Sequence, residues 1–105
     1  MTGRLTSRVE TWIESALDKY ALDDRPHVVW EQQFVMTQRG PQLGVMFFMP
    51  SGIMGTMVST FTLVENPPMV TEDEIGTLAS NALEALRKAR SDALSGEVAA
   101  EGLHG

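Results

Sequence analysis

The sequence predicts an α+β fold of two layers, in which a three-stranded antiparallel meander sheet is packed by two helices in the order α-β-β-β-α. Three observations predict it. Apolar residues recur at helical spacing near both ends of the chain. The middle holds three short segments rich in strand-forming residues, separated by turns that contain Gly and Pro. Only three charged residues lie between positions 26 and 70, which is typical of a sheet that is covered.

The first predicted helix spans residues 5–22. Its apolar residues lie three or four positions apart and form one stripe, and its charged residues fall off that stripe. Arg25-Pro26 ends the helix, because a residue that precedes proline avoids the helical region. The stripe consists of Leu5, Val9, Trp12, Ile13, Ala16, Leu17 and Tyr20.

Three strands are predicted next, at residues 28–38, 43–49 and 56–65. The turns at 39–42 and 50–55 are short, so neighbouring strands should pair antiparallel. In the second strand, one face carries Leu43, Val45, Phe47 and Met49, and the other face carries Met46 and Phe48. In the third strand, we expect Met57, Phe61 and Leu63 on the covered face, and Val58 and Thr60 on the second face.

The second helix is predicted to begin at Thr71, because Glu74 three residues later completes a capping box. Acidic residues in the first turn and basic residues in the last turns suit the helix dipole. Ser95-Gly96 is the predicted end of the helix. We therefore expect one α/β domain at residues 1–95 and a flexible acidic tail at residues 96–105.

The second sheet face is too apolar to be left uncovered on a monomer. Three arrangements compete, namely self-association of sheet against sheet, one helix on each face, and a groove for another protein. Among the methionines, Met36, Met49 and Met57 are expected in the core. Met46 and Met54 are expected at the surface. The predicted interface consists of Val29, Val35, Met46, Phe48, Val58 and Thr60, with Ile53 and Met54 at an apolar hairpin tip.

Few residues have the spacing of a catalytic or metal site. The chain has no cysteine, so a thiolate nucleophile and a zinc–thiolate site are excluded. Its net charge of −6 argues against nucleic acid as a partner. No apolar run is long enough to span a membrane. We expect no enzyme activity and no cofactor, and a small-ligand or metal-assisted enzyme around His27, with Asp24 and Glu31, is the alternative.

Two resemblances follow. The α-β-β-β-α order over residues 5–94 resembles the double-stranded-RNA-binding domain, but Glu72, Asp73 and Glu74 stand where that family places lysines for phosphate contact. The short, acidic, cysteine-free chain is similar to the small orphan proteins of actinobacterial phages. That second resemblance implies a subunit of a phage assembly or a protein that binds a host protein.

The predicted function is a protein-interaction module that associates with itself through an apolar sheet face, and possible partners include a host protein. A structural subunit of a phage particle is an alternative. The chain shows no secretory segment, so the predicted location is the cytoplasm, or the host cytoplasm for a phage protein.

Overall fold

The computed structural model describes residues 2–64 and 69–104, and the side chains of residues 7–64 and 69–96. It confirms the predicted α+β fold. The helices are α1 (Thr2–Tyr20) and α2 (Glu72–His104), and a 3-10 turn, Leu22–His27, follows α1. The strands are β1 (Val29–Thr37), β2 (Gly40–Pro50) and β3 (Met57–Val64), which form one antiparallel sheet in the order β1-β2-β3. The predicted turn Asn66-Pro67-Pro68 lies outside the described residues.

Both helices pack on the same face of the sheet and contact each other above β2. The arrangement with one helix on each face is therefore wrong. A single face suffices because β2, flanked by both other strands, supplies the centre of one core that both helical stripes can reach. The core side chains of β2 are at most 1% exposed, and they are Leu43, Val45, Phe47 and Met49. From the helices, the core contains Val9, Ile13, Ala16, Leu17, Ile75, Ala79, Ala82, Leu83 and Leu86.

The link between α1 and β1 is held by Arg25. Its guanidinium donates to Asp18 at 2.7 Å and also pairs with Glu14. The hydrogen bond to Asp18 is the main reason that the pKa of Arg25 is raised further above its usual value. Glu14 in turn accepts a hydrogen bond from the Trp30 indole at 3.3 Å, which joins α1 to β1. Leu22, the first residue of the 3-10 turn, has a positive φ of 52°.

Helix α2 begins as predicted and ends later than predicted. The Thr71 hydroxyl accepts a hydrogen bond from the Glu74 amide at 3.2 Å, which is the N-cap of the capping box. The predicted end at Ser95-Gly96 is wrong, because α2 continues through these residues to His104. One glycine inside a helix costs about 1 kcal/mol, and good helix formers offset that cost, with Ala93 and Leu94 before Gly96 and Glu97 after it. Residues 96–104 of the predicted tail at 96–105 are helical, and the flexibility of that tail stays a prediction.

The two faces of β3 are the reverse of those predicted. Val58 lies opposite Met49, and Thr60 lies opposite Phe47, so both side chains point to the helix-covered face. The amide of Ser51 donates to the carbonyl of Thr56 at 3.3 Å, and this hairpin bond sets the register. Since side chains alternate along a strand, a shift of one residue in the loop exchanges the two faces.

The predictions for the methionines are confirmed only in part. Met49 is fully buried as predicted. Met36 and Met57 were expected in the core, but they are 77% and 54% exposed. Met57 lies on the uncovered face of β3, opposite Pro50. Met36 lies on the helix-facing side of β1, next to the β1–β2 turn, and its exposure shows that the helices do not bury the sheet at that point.

Candidate functional site

The candidate site is the sheet face that no helix covers, which we call the open face. Cross-strand neighbours on this face include the pairs Val29 with Phe48 and Met46 with Phe61. Three of its apolar side chains, Val29, Met57 and Phe61, are 56%, 54% and 41% exposed. The apolar residues of the open face are Val29, Val35, Met46, Phe48, Met57, Phe61 and Leu63.

At the centre of the open face, the Phe61 ring lies across Gly44. A Cβ atom on Gly44 would overlap the ring, so the ring occupies the space above the glycine. Gly44 is opposite Leu63 on β3 and Gln33 on β1, so this contact lies on the middle strand. The glycine therefore lets an aromatic ring lie flat on the sheet and form a smooth apolar surface.

Polar residues lie on both edge strands of the open face. Glu31 is the only charged residue within the three strands, and its carboxylate accepts a hydrogen bond from the Gln33 amide at 2.8 Å. Both residues belong to the edge strand β1, and Ser59 on β3 is exposed. An apolar centre with a polar border is the usual anatomy of a protein–protein interface.

The predicted interface residues lie in three places, namely the open face, the helix-covered face and the loop between β2 and β3. Val29, Val35, Met46 and Phe48 come together on the open face. Val58 and Thr60 lie on the opposite, helix-covered face, and Val58 packs partly buried against the core. The sequence reasoning missed Met57, Phe61 and Leu63 on the open face. Ser51 and Thr56, which flank the loop, are the signal that could have found them, because two hydroxyl residues can close a hairpin loop.

Ile53 and Met54 lie in the loop between β2 and β3, at the end of the sheet. The buried Ser51 hydroxyl accepts a hydrogen bond from the Ile53 amide at 3.1 Å, and Thr56 donates to the Ile53 carbonyl at 2.8 Å. Ser51 and Thr56 also contact each other through their hydroxyl groups. This network holds the loop, while Met54 at its tip is 99% exposed.

The residues of the alternative enzyme site point in different directions. Asp24 binds Arg87 at 3.1 Å and Arg90 at 3.3 Å, toward α2. Glu31 lies on the open face, and His27 is exposed at the end of the 3-10 turn. Within residues 2–64 and 69–104, no group of three or more His, Cys, Asp or Glu residues is placed to hold a metal ion.

Burial raises the pKa of Asp24, but the hydrogen bonds and charges of Arg87 and Arg90 outweigh burial and hold it below its usual value. Arg87 also donates to the carbonyl groups of Tyr20 and Ala21, at 3.2 and 3.3 Å. These contacts cap the end of α1, so the structure accounts for Asp24 as part of a joint between helices.

Among the helical segments that the structure describes, none combines the length and the apolar character needed to cross a bilayer. Comparison of the chain with protein-family models, with curated proteins and with solved structures gives no match.

Proposed function

We propose that this protein is a non-enzymatic interaction module that forms a homodimer through the open face. The observation that supports the proposal is a set of apolar side chains on a face that neither helix covers, exposed on β1 and β3 and partly buried on β2. Exposed apolar patches of this kind mark interaction sites on soluble proteins. A second copy is the simplest occupant, because the same patch on both copies can meet around a two-fold axis.

The charge distribution supports a second copy as the occupant. The single strand carboxylate, on Glu31, belongs to the edge strand β1, whereas most apolar residues belong to β2 and β3. A second sheet can therefore cover β2 and β3 while both Glu31 carboxylates stay at the border in water. Phe48 and Phe61 are the anchors of this contact, since aromatic residues dominate interface energetics.

The size of the open face sets the expected affinity. Three strands spaced about 4.8 Å apart and roughly eight residues long give a flat area of roughly 360 Å² on each copy. Two copies would bury less than the roughly 1,200 Å² at which standard stable interfaces begin. We therefore expect a weak dimer whose population depends on protein concentration.

The test is sedimentation equilibrium over a wide concentration series, with Met57→Asp as the disrupting variant. We expect the wild type to rise from the monomer mass of 11.5 kDa toward twice that mass, and Met57→Asp to stay monomeric. A buried, unpaired carboxylate at the interface costs several kcal/mol, which is enough to dissociate a weak dimer.

Met36→Asp is the matched control. It makes the same chemical change at a more exposed methionine, on the opposite side of the sheet, and we expect it to dimerise like the wild type. Val29→Asp lies on the border strand β1 and should weaken the dimer less than Met57→Asp does. A wild type that remains monomeric at every concentration, or equal effects of Met57→Asp and Met36→Asp, would contradict the proposal.

A further inference from the structure

We infer that the free edge of β3, together with the groove between β3 and α2, binds an extended peptide of a partner protein by strand addition. The peptide has apolar residues at alternate positions and a lysine or arginine that reaches Glu74. This site shares Phe61 and Leu63 with the open face, but the peptide would pair with their outward backbone groups, and the inference does not depend on the homodimer.

Within residues 2–64 and 69–104, no backbone group pairs with the outer edge of β3. The bond from the Ser51 amide to the Thr56 carbonyl shows that odd positions of β2 pair with even positions of β3. Because backbone groups alternate in direction along an antiparallel strand, those of Ser59, Phe61 and Leu63 point away from the sheet. They offer a new strand the same pattern of donors and acceptors that β2 uses.

Nothing in the sequence of β3 protects this edge. Natural proteins block edge strands with charged residues, proline or bulges. The segment MVSTFTLV has no charge and no proline, and its register with β2 is continuous from Met57 to Val64. The other edge strand, β1, carries Glu31. The uncharged edge of β3 is therefore the better template for a partner strand.

A groove beside this edge supplies a place for side chains. It measures about 370 Å³ and runs between β3 and the first half of α2. Its lining includes Val64, Val70, Thr77, Leu78, Ala82 and Glu74. A peptide strand next to β3 would point alternate residues, roughly 7 Å apart, into this groove, where apolar side chains can contact Val64, Val70 and Leu78.

Charge complementarity identifies the remaining part of the peptide. Among the residues that the structure describes, Glu74 is the only ionisable one that lines the groove, and Glu72 and Asp73 precede it in the first turn of α2. Among the side chains that the structure describes, no basic group pairs with the Glu74 carboxylate. A basic residue on the peptide would supply that pair, whereas an acidic residue would be repelled.

The experiment uses two synthetic peptides of alternating Val and Thr, one with Lys at both ends and one with Glu at both ends. Binding is followed by fluorescence anisotropy and by amide shifts in NMR spectra of the Met57→Asp variant, which carries the disrupted open face. We expect the Lys peptide to bind, with shifts at Ser59, Phe61, Leu63 and Thr77. It should bind roughly three-fold more tightly than the Glu peptide, as expected for a partly exposed ion pair.

Two pairs of variants separate the site from non-specific attraction to an acidic protein. Glu74→Lys should reverse the peptide preference, whereas Glu84→Lys, the same change at an exposed α2 position that does not line the groove, should keep it. Ser59→Pro removes one outward amide, which an edge strand tolerates, and should abolish binding, whereas Ser59→Ala should retain it.

Several results would overturn the inference. One is equal effects of Glu74→Lys and Glu84→Lys, a comparison that holds even if Ser59→Pro fails to fold. Others are amide shifts confined to other surfaces, and binding that Ser59→Pro leaves intact. A dimer abolished by Ser59→Pro but not by Met57→Asp would show that a second copy occupies the edge, which also contradicts a peptide site. Loss of the dimer alone, with peptide binding intact, would bear only on the open face.

Discussion

Gly44 and Phe61 act as a pair at the residue scale. Replacing a strand glycine with alanine normally helps a strand, because alanine loses less backbone freedom on folding. At Gly44 the new methyl group would displace the Phe61 ring, so the cross-strand contact would be lost. The effect of the glycine therefore depends on the aromatic residue beside it.

This dependence predicts that substitutions at Gly44 and Phe61 have non-additive effects in a double-mutant cycle. Gly44→Ala should destabilise the wild type or leave its stability unchanged, and should stabilise the Phe61→Ala variant by about 0.5–1 kcal/mol. Urea unfolding monitored by circular dichroism measures each free energy of unfolding, and the coupling should be about 1 kcal/mol. Strict additivity of the two free-energy changes would mean that the Phe61 ring and Gly44 are not energetically coupled.

At the scale of elements, Asp24 joins the turn after α1 to α2 through Arg87 and Arg90. Because these cations hold the pKa of Asp24 below its unfolded value, the joint stabilises the fold above that unfolded pKa. The stabilisation is lost as the pH falls through the lower, folded pKa. The free energy of unfolding falls with pH because Asp24 has the higher pKa in the unfolded chain and is protonated there first as the pH falls.

Asp24→Asn should therefore lower the free energy of unfolding by about 1 kcal/mol at neutral pH, an amount limited by the partial exposure of all three side chains. The difference from the wild type should shrink as the pH falls below about 4. Asp23→Asn, at the exposed neighbouring carboxylate, is the control and should have little effect at any pH. Urea titrations across this pH range provide the measurement, and a difference that stays constant with pH would rule out the charged joint.

On the scale of the whole molecule, the charges are separated from the candidate interface. The chain carries a net charge of −6, and the three strands contribute only Glu31. Two copies therefore repel each other over a long range, while the contact itself is apolar. Added salt screens the repulsion, because the Debye length falls to about 8 Å at physiological ionic strength.

We expect dimerisation of the wild type to strengthen as salt rises from low to physiological concentration. Sedimentation equilibrium at several ionic strengths measures this dependence, with Met57→Asp as the monomeric reference. Weakening of the dimer with salt would indicate an interface held by ion pairs, which the open face does not provide.

The elements themselves could be predicted from local pattern, because helical stripes, capping residues and strand alternation are visible over a few neighbouring residues. The stripe that contains Ile13 and Leu17 became core, as did Phe47 on β2. The candidate surface was predicted only in part. Val29, Met46 and Phe48 could be placed on one face, because residues two positions apart in a strand share a face.

Two features of the fold depended on tertiary structure. The face of each β3 residue depends on how the loop at 51–56 closes, and the hydrogen bond from Ser51 to Thr56 settled it. The second feature was the side of the sheet on which each helix packs. Both faces are apolar enough to accept a helix, so the choice rested on contact between α1 and α2 above β2. Local sequence encodes the period of each element, whereas only packing between distant elements decides which face is left open.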